Sequence, residues 1–159
     1  MKIRRILGLF MALMMVVSLC ACAGGTKDVD LADALKSINK EFSISEDSMI
    51  MIEDTDTLEL YYNVSATDVK QFAAETTMNS SSDVTEIVLI EAVDETAAKN
   101  VCDALTVRYN AQRDLCSSYS PELLAVVEKS AVTQNGNYVS LIIIDNYDDV
   151  AGHYNSMFE

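Results

Sequence analysis

Basic residues are scarce in this sequence, 11 against 25 acidic ones, and the scarcity excludes a class of partner. Binding to nucleic acid is driven by lysine and arginine displacing counterions from phosphates, so a chain this acidic would repel a polyanion. Histidine occurs once, and there is no Cys-x-x-Cys or Cys/His cluster, so a zinc or redox centre lacks its ligands. Also missing are G-x-S-x-G, HExxH, the P-loop and GxGxxG, the common devices of nucleophile, metal and nucleotide chemistry. No cofactor and no metal are therefore expected, and a non-enzymatic role is favoured over catalysis. Internal repeats and low-complexity segments are absent as well.

The one long apolar run lies at the start. Lys2, Arg4 and Arg5 precede an uncharged stretch from Ile6 to Ala23 that contains Leu19-Cys20-Ala21-Cys22. A basic start, an apolar core and a small residue before the cut mark an export signal. The Leu-x-Ala-Cys step resembles the lipobox of bacterial lipoproteins, in which a small residue directly precedes the acylated cysteine. Cys22 fits that pattern; Cys20, preceded by the bulky Leu19, does not. The resemblance implies cleavage before Cys22, a thioether-linked diacylglycerol, and attachment to the outer face of a membrane. Residues 1–21 are thus expected as a signal peptide, 22–28 as a lipidated tether and 29–159 as one domain. Two other readings stay open: an uncleaved anchor, since the run sits at the lower edge of a spanning helix, and ordinary secretion, which would leave Cys22 as a free thiol. All three place the domain outside the cytoplasm. The mature chain would keep 8 basic and 25 acidic residues, a net charge of −17, which favours solubility and detachment from anionic lipid headgroups.

Within the domain, Asp30 is placed to cap a helix whose apolar positions are Leu31, Ala34, Leu35, Ile38 and Phe42. Met49 to Ile52 reads as a short edge strand. Leu58, Leu60, Tyr62 and Val64 alternate with polar residues and predict a half-buried strand. Thr67 or Asp68 then predicts a helix to about Met78, and Thr85 to Ala92 a second strand. Asp94 opens a long helix that ends near Tyr119-Ser120-Pro121, at the only proline. A short helix over 122–129 follows. Asn135-Gly136 between Ala131–Gln134 and Asn137–Ile144 is a hairpin signal, because both turn residues tolerate positive φ. A last helix spans about 148–158. Helical crossovers beside one hairpin predict an α/β two-layer sandwich: a mixed sheet of about four strands with helices mainly on one face, and Glu59, Asn63 and Glu86 exposed on the other.

Cys102 and Cys116 invite a disulfide in an exported protein. On one continuous helix, however, they stand about 21 Å apart, too far for a bridge. Asp145, Asp148, Asp149 and His153 read as solvated acids at the last helix and not as a metal site, since an EF-hand would require glycine where Val150 stands. The single departure from local rules is on the long helix, where Arg108 and Gln112 fall within the stripe of Ala97, Val101, Ala104, Leu105, Leu115 and Cys116. Either Arg108 meets a carboxylate such as Glu91 or Glu75 or extends its stem to place its charge at the domain rim, or Arg108 and Gln112 form the floor of a cleft that offers donors to an anionic or carbonyl-bearing ligand. A cell-envelope hydrolase pairing carboxylates such as Glu91 with Arg108 is the alternative to a binding or scaffolding module. Tyr61-Tyr62, the long helix with Arg108 and Gln112, the Tyr119-x-Pro121 break and the Gly136-Asn137-Tyr138-Val139 turn together resemble a family of small Gram-positive lipoproteins classed as a domain of unknown function. The resemblance implies a membrane-tethered compact domain. It brings no activity with it, so the expected partners remain the membrane, through the lipid, and an envelope protein or small ligand.

Overall fold

The computed structural model describes residues 27–159; the expected signal peptide, the expected lipidation site Cys22 and most of the expected tether lie outside them. Helix α1 (Leu31–Glu41) begins where an Asp30 carboxylate oxygen accepts the Asp33 amide at 3.0 Å, and it buries Leu31, Ala34, Leu35 and Ile38 as their spacing requires. Strand β1 (Met49–Ile52) follows.

The next two elements exchange type relative to the sequence expectation. Residues Thr55–Tyr62 form a helix, α2, and not a strand. Asp54 accepts the Thr57 amide at 2.7 Å, and Asn63, at φ 55° in the left-handed region, closes the far end. Leu58 and Tyr62, four residues apart, are the buried members, while Leu60 is 82% exposed; the apparent alternation is coincidental. Conversely, Val69–Thr77 is strand β2 and not a helix. Its Lys, Gln, Ala and Glu favour a helix intrinsically, but pairing with a strand on either side overrides that preference.

From there the chain follows its sequence signals. Strand β3 (Glu86–Ala92) leads to α3 (Glu95–Tyr119), capped by Asp94 at the amides of Thr96 and Ala97. Pro121 opens α4 (Pro121–Lys129), β4 (Ala131–Asn135) turns at Gly136 (φ 59°) into β5 (Tyr138–Ile143), and α5 (Tyr147–Ser156) closes the fold.

The five strands form one open sheet, ordered β1-β2-β3-β5-β4, with every neighbouring pair antiparallel. The expected mixed sheet of about four strands is corrected by β2: a strand where a crossover helix was expected makes the β2–β3 connection a hairpin. The helices also cover both faces. Leu58, Tyr62, Ala97, Val101, Leu105 and Val127 pack with Val88, Ile90, Val139 and Leu141 on one side. On the other, Leu31, Leu35, Ile38, Val150 and Tyr154 pack with Ile87, Leu89 and Ile142. The architecture is therefore three layers, not two. All of β3 is buried, and Glu86, expected to be exposed, is enclosed. Cys102 and Cys116 are free thiols on the uninterrupted α3, and burial pushes the Cys116 thiol up.

Candidate functional site

Helix α3 is longer than the sheet it crosses. Its 25 residues extend about 37 Å, whereas the seven residues of β3 extend about 24 Å. The last turns of α3 meet the β2–β3 loop and the start of α4. A cleft of about 410 Å³ opens there, with Thr76, Thr77, Ser80, Ser81, Asp83 and Ser120 supplying polar walls. Val84, Leu115, Cys116 and Leu123 supply apolar ones, and Tyr119 stands at the rim, 82% exposed.

Arg108 and Gln112, singled out as an interruption of the apolar stripe, both line this cleft. The carboxylate that holds them is Glu86, not Glu91 or Glu75. Arg108 Nε donates to Glu86 Oε1 at 2.9 Å and a terminal guanidinium nitrogen donates to Oε2 at 3.2 Å; Gln112 Nε2 adds a bond to Oε2, also at 3.2 Å. The Glu86 side chain is 1% exposed and that of Arg108 is 28% exposed. The guanidinium is thus paired on its inner side and open to the cleft on its outer side, where, among the described residues, no second carboxylate bonds to it. Burial alone would lower its pKa, but the bonds and charge of Glu86 hold it above the ordinary arginine value. Tyr62 backs the pair, its ring centroid 5.8 Å from the guanidinium carbon; burial and the adjacent Glu86 charge push its hydroxyl pKa up. Asp83 lies across the cleft. Burial opposes its charge, yet hydrogen bonds from Thr85, Thr77 and Val84 prevail and keep its carboxyl below the usual range.

Two consequences follow for the expected ligand. Glu86 cancels the charge of Arg108, and Asp83 leaves the cleft with an excess of negative charge, so the donors here suit a carbonyl or hydroxyl group better than an anion. Glu91, the carboxylate considered as a partner for Arg108 in hydrolysis, sits elsewhere. It is five residues along β3 from Glu86, about 17 Å away and on the opposite face of the sheet because five is odd. There Lys70 Nζ donates to it at 2.7 Å and Gln71 Nε2 at 2.6 Å, and Gln71 in turn binds the backbone of Val29 and Leu31. Glu91 therefore helps seat the backbone just before and at the start of α1.

The sequence motifs that bear on family lie along the same frame as the cleft, between Tyr61 and Val139. The chain belongs to the DUF4358 family. The match, to a family described as a domain of unknown function, covers residues 42–144. No curated protein and no solved structure matches the chain. The DUF4358 region contains the whole sheet and every residue that lines the cleft, while α1 and α5, which cover the other face, lie outside it.

The remaining acidic cluster takes no part in such a site. Asp145 is 3.6 Å from Lys129, and His153 Nε2 pairs with the Ser37 hydroxyl at 3.0 Å instead of turning to Asp149. Among the described residues no group of three or more potential ligands converges to hold a metal ion. Sequence reasoning missed Glu86, Asp83 and the loop hydroxyls, because only the β2–β3 hairpin brings them opposite α3.

Proposed function

We propose that this is a lipid-anchored extracytoplasmic binding module that holds an uncharged polar ligand, or the polar tip of an envelope protein, in the cleft beside Arg108 and Gln112. The observation that carries the reading is the Glu86 clamp: a fully buried carboxylate fixes two donor side chains at the wall of an open cleft without leaving a net positive charge. A cation held only for stability would serve equally well sealed inside the core; this one faces a 410 Å³ space. The lipobox at Cys22 supports the membrane location, and the acidity of the mature chain supports a domain that stands away from anionic headgroups. A binding role is preferred to a hydrolase because both oxygens of Glu86 are occupied by donors and Glu91 lies on the other face of the sheet.

The test is saturation-transfer NMR on the full chain in detergent with a panel of uncharged saccharides and short neutral peptides. Wild type is expected to bind at least one class. Ser81→Trp, which fills the cleft from an exposed loop position, should abolish that binding, and Gln112→Leu should weaken it about tenfold, the equivalent of one hydrogen bond near 1.4 kcal/mol. Ser81→Trp should keep the wild-type melting temperature within about 2 °C, whereas Gln112→Leu, which also takes a hydrogen bond from the buried Glu86, should lower it by several degrees while remaining folded. Binding that survives Ser81→Trp, or no binding by any member of the panel, overturns the reading.

A further inference from the structure

We propose that the free edge of β1 is a second docking surface, which takes an extended partner segment that is apolar in the middle and basic at both ends, added to the sheet as an extra antiparallel strand. β1 is an outer strand of an open sheet, and β2 is the one element with which it packs extensively. The ladder fixes which of its backbone groups are unspent. The Met78 amide donates to the Ser48 carbonyl at 2.9 Å, and Ser48 continues the register in which Met49 faces Thr77. Hydrogen-bonded pairs alternate in an antiparallel ladder, so Ser48, Ile50 and Ile52 turn their backbone groups to β2 while Met49 and Met51 turn theirs outward.

The edge strand is short, but its apolar surface is open. Met49-Ile50-Met51-Ile52 contains no charge and no proline, and Ile50 and Met51 are 39% and 45% exposed. Beside it, on the α1 face, a groove of about 410 Å³ runs between Leu35 and Asn39 of α1 and Met51 and Ala73 of the sheet, ready to receive alternate side chains of an added strand. The other edge, β4, is different: its outer half is Thr133, Gln134 and Asn135, and α3 packs against it.

Charge identifies the occupant. Glu46 and Asp47 precede β1 and Glu53 and Asp54 follow it, all exposed; Lys36 is the one cation in the groove. A second copy of this chain paired antiparallel through β1 would set Glu46 and Asp47 against Glu53 and Asp54 of its neighbour, and like charges opposed across strands are destabilising. A segment of about five residues with lysine or arginine at each end meets the same acids favourably.

The probe is a fluorescein-labelled peptide, Lys-Lys-Thr-Val-Thr-Val-Thr-Lys-Lys, titrated into the full chain in nonionic detergent, with a control in which glutamates replace the lysines. The lysine peptide is expected to bind at least about tenfold more tightly than the control and to slow amide exchange at Met49 and Met51. Met51→Pro removes one outward N–H without taking a bond from the β1–β2 ladder, so it should weaken binding about tenfold at an unchanged melting temperature. Met51→Lys, which needs no backbone change, should do the same. Equal binding of the two peptides, absence of binding, or insensitivity to both substitutions overturns the proposal. So does sedimentation as a dimer that Met51→Lys dissolves, which assigns the edge to a second copy.

Discussion

Arg108 shows how one side chain serves the core and the cleft at once. Its charge offsets that of Glu86, which would otherwise be an isolated carboxylate in an apolar layer beside Tyr62 and Val88. Glu75 illustrates the contrast. It is equally enclosed, but its neighbour is the neutral Asn39, which donates one bond at 2.9 Å, and burial pushes its carboxyl pKa up. Glu86 thus depends on a cation in a way that Glu75 does not. Replacing Arg108 by methionine should therefore cost about 3–5 kcal/mol, because Glu86 is left with only the neutral Gln112 and no counter-charge. Adding Glu86→Leu should recover most of that loss, since an apolar pair of similar volume is close to neutral. Urea unfolding of the two single variants and the double variant checks this. A loss in Arg108→Met that Glu86→Leu does not relieve would show that the guanidinium stabilises through its packing on Tyr62 instead.

At the scale of elements, α2 is where pattern and structure part. Over a segment of eight residues, period two and period 3.6 select overlapping sets, and Leu58 and Tyr62 belong to both. The caps decide: Asp54 at the start and a left-handed Asn63 at the end enclose one short helix. If so, Leu58→Ala should cost about 2–5 kcal/mol and Leu60→Ala less than about 0.5 kcal/mol. A strand buried on its Leu58–Leu60–Tyr62 face would make the two losses similar, and thermal melts distinguish the cases. The long helix, the Asn135-Gly136 hairpin, β3 as a strand and the interior β5 were legible because each carries a strong local signal, a cap, a turn pair or an apolar run; the four-residue β1 gave only a weak one, and the burial of β3 on both faces was not foreseen. β2 was not, since Lys70, Gln71, Ala73, Ala74 and Glu75 have helical propensities and become a strand only through neighbours remote in sequence. The site divides in the same way. Arg108 and Gln112 stood out because they break an apolar stripe, whereas Glu86 could not be named as their partner until the strand that carries it was placed under α3.

For the whole molecule, the decisive relation is between the end where the chain enters the domain and the end where the cleft opens. Val29 is seated by two bonds, its amide donating to the Tyr138 hydroxyl at 3.2 Å and its carbonyl accepting from Gln71 at 3.0 Å, beside Glu91. The cleft lies at the Glu86 end of the same strand, about 17 Å farther along. A lipid on Cys22 would leave a tether of seven residues that spans at most about 25 Å, so the domain would stay close to the bilayer. Two acyl chains would hold it there firmly, at about 0.8 kcal/mol for each buried methylene. The expected outcome is a protein that fractionates with membranes and whose first residue, by mass spectrometry, is Cys22 carrying diacylglycerol. Cys22→Ala should accumulate with residues 1–21 attached and should not incorporate labelled palmitate. A mature chain that keeps Met1, or one that reaches the medium with an unmodified Cys22 thiol, would remove the anchor.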